Sequence, residues 1–341
     1  MNQTYIIIDV LNLFFRVRHT AHVHATLDDK IGMSMHVMIA SANKAVKLVN
    51  ADHVVFALDG HSWRKAIYEP YKKTRAVARL KRTEKEIEED ELFFETLNDF
   101  IDYFKTKTNC TVIKQENAEA DDVIYRWIKL HPNDKHVILS SDTDFVQLIS
   151  ESVSQYNGIT KEWITYNGTF NDDNKVIIDK KTNLPKQIKD PKWLLFEKCI
   201  RGDKSDNIFS AYPGVRTKGT KNKVGLLEAF ADMDNKGFNY NNLMLQRWVD
   251  HNEKEHKVLD DYTRNRTLID LSQIPKDIVD AIDLEIVTTL INNEENASAK
   301  NQILFHFMKF CNRHNLVRLA EYPQDVVSWI TKEYTGDLHV E

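Results

Sequence analysis

Several common chemistries are missing from this sequence. Cysteine is scarce, with Cys110, Cys199 and Cys311 the only three in 341 residues. They are far apart and odd in number, which excludes a disulfide framework and a zinc cage and fits a reducing cytosol. No apolar run approaches the ~20 residues of a membrane span. The N-terminus enters YIIIDV directly, without a basic region or cleavage site, so no secretory signal is expected. The 13 histidines contain no HExxH pair. No phosphate-binding G-x-x-x-x-G-K-[ST] loop, dinucleotide G-x-G-x-x-G or nucleophile elbow is present. A net charge of −5 excludes indiscriminate coating of nucleic acid, although it leaves room for a local basic surface. What remains is a globular composition, 42% hydrophobic and 28% charged, long enough for a sizeable core and two units.

Carboxylates stand out instead. Within residues 118–149, Glu119, Asp121 and Asp122 open an amphipathic helix, and Asp142 and Asp144 follow the short apolar strand Val137–Leu139. The strand Tyr5–Ile8 ends at Asp9, and Val54–Leu58 ends at Asp59 before Gly60. A helical pattern over Met35–Leu48 joins these two strands. Such a β–helix–β unit places both acids at one sheet edge, where open α/β sheets put their chemistry. Thr111–Ile113, Ser152–Tyr156 and Glu162–Tyr166 read as further strands, and 167–189 as a polar connection with one hairpin. The fold class is therefore α/β, with a mostly parallel central sheet flanked by helices. Each acid taken alone could be a helix cap or a turn residue. Together they crowd like charges, which calls for a counter-cation, and an oxygen-only set favours Mg²⁺ or Mn²⁺.

Positive charge is concentrated in two places. Between Trp63 and Lys85, Arg64, Lys65, Lys72, Lys73, Arg75, Arg79, Lys81, Arg82 and Lys85 alternate with Trp63, Tyr68 and Tyr71. The run is either a solvated face or a set of phosphate contacts with base-stacking aromatics. Thr83 with Glu86 forms a capping box that starts a long helix carrying Phe93, Leu97, Phe100 and Phe104. Farther on, Asp190-Pro191 starts a helix that ends at Gly202. Asp203 and Asp206 follow, then a loop with Arg216, Lys218, Lys221 and Lys223, and a helix over Val224–Phe230. This arrangement is either a chance basic loop or a grip on duplex backbone that does not read sequence. From Tyr240 onward the pattern is helical core.

The ordered segments IIIDVLNLFFR, VVFALDG, PYKKTR, AEADD, SSDTDFVQL and GDKSDN…PGV resemble the 5′-nuclease family, which comprises structure-specific flap endonucleases and 5′→3′ exonucleases. It includes bacteriophage enzymes, some named ribonuclease H for removing RNA primers. The resemblance spans about residues 5 to 280. It implies a PIN-like α/β nuclease domain over 1–189 with a helical arch at about 63–106. It also implies a helical DNA-binding domain over 190–341 with a helix–three-turn–helix motif at about 190–231. Asp9, Asp59, Glu119 and Asp121 match the family's first metal cluster, and Asp122 lies beside it. Asp142 falls between the clusters, and Asp144, Asp203 and Asp206 match the second. Tyr71, Lys72 and Arg75 match the arch base near the scissile phosphate, and Arg16 matches a residue that steers the 5′ end. The family's clamp reads GVxGIGxKT and holds K⁺ through backbone carbonyls. Here Thr217 and Lys218 replace a glycine and an isoleucine, which argues against K⁺ and for direct lysine–phosphate contacts.

The expected chemistry is phosphodiester hydrolysis with two divalent ions roughly 4 Å apart, Lys72 neutralising developing charge and Tyr71 stacking on a base. The expected substrates are branched DNA or RNA-primed duplex. The expected setting is the cytoplasm (a host cell's, for a phage protein), as a monomer off the membrane. A single-strand-binding protein, sliding clamp or polymerase is the expected partner. Competing readings are a PIN-type single-strand ribonuclease and a non-catalytic junction-binding protein. A haloacid-type phosphatase is set aside because Leu11 stands where its D-x-D motif needs an acid.

Overall fold

Ile6 and Ile8 of the first strand, β1 (Thr4–Asp9), face one hydrophobic core, while Tyr5 and Ile7 face another. This is the period-two alternation of a strand buried on both sides. The computed structural model describes residues 2–20, 26–188, 190–295 and 302–339. Six further strands extend the sheet: β2 (His53–Leu58), β3 (Thr111–Lys114), β4 (Lys135–Leu139), β5 (Val153–Asn157), β6 (Glu162–Thr165) and β7 (Gly168–Asn171). Their order is β3-β2-β1-β4-β5-β6-β7. The pairings from β3 across to β5 are parallel, and β5–β6 and β6–β7 are antiparallel. The polar stretch after Tyr166, expected to hold one hairpin, supplies β7 and the antiparallel bridges Phe170–Val176 and Ile178–Pro185. This strand is short and half-buried, and its sequence GTFN lacks the apolar run that marks a buried strand.

One face is covered by the helices Leu27–Val49, Glu84–Lys107, Ile303–Arg313 and Pro323–Ile330, through Met38, Phe100, Phe104, Phe307 and Trp329. The other is covered by Ala120–Leu130 and Lys276–Glu295, through Val123, Trp127, Ile282 and Ile286. The chain therefore divides differently from the expected 1–189 and 190–341. One unit comprises Met1–Ser62, Arg82–Ile188 and Lys276–Glu341; the second comprises Trp63–Lys81 and Lys189–Pro275. The physical reason is coverage. A parallel sheet needs both faces packed, and the helices after Lys276 complete that packing.

The second unit has its own core of Phe196, Cys199, Ile200, Leu226, Leu243, Met244, Tyr262 and Leu268. Its helices are Arg64–Ile67, Lys73–Leu80, Pro191–Arg201, Leu226–Ala231, Phe238–Met244 and Val258–Ile269. The anticipated starts are present in both units. Thr83 and Glu86 form a capping box, and the Asp190 side chain accepts the N–H groups of Lys192 and Trp193. The expected arch is shared out: its Trp63–Lys81 part belongs to the second unit and the Glu84–Lys107 helix to the first.

Near the N-terminal end of β4, His136 is buried beside Tyr5 and His131, and neither ring nitrogen has a hydrogen-bond partner. Burial, helped by His131, pushes its pKa down to about 3. The folded state therefore holds His136 neutral where the unfolded chain would protonate it. Stability is complete above about pH 6.5 and falls by up to about 1.4 kcal/mol per pH unit as the pH drops towards 3. His136→Phe should flatten that fall relative to wild type in urea unfolding between pH 7 and 4. Parallel curves for the two proteins would refute the assignment.

Candidate metal centre and nucleic-acid interface

The acids of the first unit collect at the C-terminal ends of the parallel strands. Asp9 closes β1, Asp59 follows β2, and Asp142 follows β4 and caps a 3₁₀ turn by accepting the Asp144 N–H. Glu119 and Asp121 sit at the start of the Ala120–Leu130 helix. Gly60 makes that placement possible. Its N–H donates to the Ala118 carbonyl, and a Cβ there would lie 2.1 Å from the Gln115 carbonyl oxygen. With the two loops zipped this closely, the Asp59 carboxylate reaches the Ala120 N–H at 3.2 Å.

Asp9 is strongly perturbed. It is buried, and its pKa is pushed up to about 7 by burial first, then by Asp59 and Asp142, against the downward pull of Ser140 and Asn12. The Ser140 hydroxyl donates to Asp9 at 2.9 Å and accepts the Asp142 N–H at 3.0 Å. Asn12 donates its own N–H to Asp9 and holds the Ser141 N–H and hydroxyl through its side chain. The buried Gln155 of β5 donates to the carbonyls of Ser140 and Asp142. Ser140 and Gln155 were not legible as site residues, because a serine in a loop and a glutamine in a strand carry no spacing signal.

A buried carboxylate with two others beside it is the electrostatic environment a hard cation relieves. Among the described residues, no three His, Cys, Asp or Glu side chains form a ready-made cage. The chemistry of this oxygen-only set suits a hard divalent ion that also takes water and substrate oxygens. Asp9, Asp59, Glu119, Asp121, Asp142 and Asp144 are the oxygens on offer. Asp122 is fully buried and accepts the Glu119 N–H, closing the reciprocal capping box of this helix with Glu119. The Arg16 side chain lies outside the described residues.

In the second unit, Asp203 and Asp206, two of the acids expected in the second metal group, face cations of that unit. Asp203 receives the Lys198 ammonium at 2.7 Å. Burial would raise its pKa, but Lys198 and Ser205 outweigh that and hold it at about 2. Asp206 faces Arg75 at 2.8 Å, the Tyr71 hydroxyl at 3.2 Å and Lys72 at 3.8 Å. Both acids are thus neutralised by cations of their own unit. The aromatics of the basic run are corrected as well. Tyr71 belongs to the second unit's core, Tyr68 packs against that core, and Trp63 is buried, so none presents a bare stacking face. Arg64 is buried and donates to the Leu268 carbonyl instead of facing phosphate. Lys65, Lys73 and Arg75 are exposed.

The basic loop is organised by an internal carboxylate. Glu228 accepts the Gly219 N–H at 2.9 Å and the Gly225 N–H at 3.0 Å. The two glycines touch, since a Cβ on Gly225 would lie 2.4 Å from the Gly219 nitrogen. Arg201 donates to the Val215 carbonyl and the Thr217 hydroxyl. Arg216, Lys218, Lys221 and Lys223 are left on the outside, exposed.

Residues 4–179 match the sequence model of a family described as 5′-3′ exonuclease, N-terminal resolvase-like domain. The chain is 28% identical to ribonuclease H of Enterobacteria phage T4 over 284 residues, covering 77% of this chain and 80% of that one. It is 26% identical to the flap endonuclease of Escherichia phage T5 over 230 residues, covering 67% and 70%. The fold is shared with T5 5′-exonuclease bound to divalent zinc, at a TM-score of 0.56 and 22% identity, with 84% of this chain and 99% of that one aligned. A T5 flap endonuclease pseudo-enzyme–product complex with DNA and metal ions gives a TM-score of 0.55 at the same identity and coverage.

Glu228→Ala should release both glycine N–H groups and loosen the loop. Trypsin should then cut at Lys218, Lys221 and Lys223 several-fold faster, with little change in melting temperature, because the bonds lost are local and solvent-facing. Unchanged cleavage rates would remove the pinning role.

Proposed function

This chain belongs to the 5′-3′ exonuclease family and is a metal-dependent 5′ nuclease; we propose that it cuts phosphodiesters at junctions of single strand and duplex, on flap DNA and RNA-primed duplex. The observation that carries this reading is the convergence of acids from four separate segments on one sheet edge, with Asp9 pushed up to about 7 by burial and its acidic neighbours. Two Mg²⁺ or Mn²⁺ ions bound there would activate water and stabilise the leaving 3′-oxygen.

The chain's own residues do the rest. Asp9, Asp59, Glu119 and Asp121 would hold the first ion, and Asp142 and Asp144 would contribute to the second. Ser140, Asn12 and Gln155 keep the acid-bearing loops from drifting, which matters because small displacements of a reacting group cost large factors in rate. Lys72 and Arg75 bring positive charge to the strand's backbone, and Arg75 can form the two-pronged contact that suits phosphate. Arg216, Lys218, Lys221 and Lys223 hold duplex without reading its sequence. Partners of a replication nuclease, such as a single-strand-binding protein, sliding clamp or polymerase, belong to the same reading, as does the cytoplasm, where three buried free cysteines are at home.

Asp59→Asn and Asp121→Asn should each lower flap cleavage in Mg²⁺ by at least about a hundredfold, with flap affinity in EDTA retained. Loss of binding alongside intact cleavage would contradict the roles given to these acids. Equal cleavage of unstructured single-stranded RNA and flap DNA would favour a single-strand ribonuclease instead.

A further inference from the structure

A groove of about 950 Å³ opens in the helical layer of the first unit. Its walls are the helices Leu27–Val49 and Glu84–Lys107 and residues 313–318, which lead from the Ile303–Arg313 helix into a short one, Val317–Glu321. The Leu27–Val49 helix brings Asp28 and Asp29 to the lining near its start, then Met33, then His36. Eight residues separate Asp28 from His36, about 12 Å of helix. Met33, Leu92 and Val317, which line the groove between these ends, stay 39%, 36% and 58% exposed. Open apolar surface rimmed by charge is the mark of a docking site.

The charge in this groove is uneven. Arg313 donates to Asp99 at 2.8 Å, and the His314 ring meets the same carboxylate at 2.7 Å. Burial would raise the Asp99 pKa, but Arg313 and His314 outweigh it and hold the carboxyl below its usual range. Those cations are therefore compensated. Arg318 is exposed and forms no ion pair among the described residues. Burial first, and then the Arg318 charge, push the His36 pKa down, so positive charge is unanswered at this end. At the other end, the Thr26 hydroxyl and N–H hold the Asp29 pKa down, which keeps that end negative at neutral pH. We propose that the groove docks a short peptide segment of a partner protein, with apolar side chains against Met33, Leu92 and Val317 and a carboxylate on Arg318.

Length and charge spacing select a peptide over a nucleic acid. An extended chain covers about 3.3 Å per residue, so about four residues span the 12 Å between the two ends. A single acid at one end of such a segment meets Arg318, and nothing negative need approach Asp28 and Asp29. A nucleic-acid strand carries a charge every ~3.4 Å. Laid in the same groove, it would press phosphate against both aspartates, and like charges in contact oppose binding. The apolar middle gives a peptide side chain area to cover, whereas a phosphate backbone gains nothing from it.

This proposal does not rest on the nuclease reading, and its test needs no cleavage. The probe is the blocked peptide acetyl-Gly-Leu-Phe-Asp-amide, titrated into the full chain carrying ¹³C-methyl methionine. Of the seven methionines, Met33 and Met35 line the groove, and their signals should shift saturably at millimolar peptide. The analogue ending in Asn should bind roughly fivefold more weakly. Arg318→Gln should weaken the Asp peptide by the same factor and leave the Asn peptide within about twofold. Lys309→Gln makes the same charge change at an exposed residue outside the groove and should alter neither. Absence of a saturable shift at Met33 and Met35, or equal binding of the two peptides, overturns the proposal. So do the same shifts produced by oligothymidylate at lower concentration, or by raising the protein concentration alone. The comparison of the two peptides uses the wild-type protein, so it decides the matter even where Arg318→Gln folds poorly.

Discussion

Negative charge held close together at the end of a buried sheet is the constraint on which this molecule depends. A parallel sheet packed on both faces leaves its strand ends as the accessible edge, and here those ends carry Asp9, Asp59 and Asp142. Burial and mutual repulsion both disfavour the ionised state of Asp9, so the edge is costly without a compensating cation. The surrounding polar side chains make sense in that light. Ser140, Asn12 and Gln155 use their hydrogen bonds to keep the acid-bearing loops in place. Gly60 permits the contact that brings Asp59 to the Glu119 helix.

The second unit handles its acids in the opposite way. Asp203 and Asp206 are surrounded by lysine, arginine and tyrosine donors, and the Asp203 carboxyl stays ionised far below the usual range. The two groups of acids look alike in sequence, yet Asp9 sits against other carboxylates whereas Asp203 and Asp206 face cations. Glu228 adds a third use of a carboxylate, as an internal pin for a loop whose lysines point outward. The same functional group thus crowds against other carboxylates at the sheet edge, pairs with cations in the second unit and staples a loop, according to what lies within hydrogen-bond reach.

Much of this was legible in the chain. Apolar strands ending in acids, the Thr83–Glu86 capping box and the Asp190-Pro191 helix start are local signals, and each falls where it was expected. The helices after Lys276 were recognised as core but assigned to the wrong unit. A helix's apolar stripe says that it is buried and not against what. The aromatics of the basic run misled for a similar reason. Trp63, Tyr68 and Tyr71 suit a stacking platform and a packing anchor equally well, and only their burial separates the two.

The sequence by itself determined the alternation of strands and helices, the acids at the strand ends and the basic character of two segments, because periodicity, caps and charge are written in neighbouring residues. The tertiary structure alone decided which acids share an environment. It left Asp9 beside Asp59 and Asp142, drew Asp122 inward as a cap and turned Asp206 onto Tyr71, Lys72 and Arg75. A carboxylate's behaviour depends on burial and on charges a few ångströms away, and those neighbours come from segments that only folding brings together.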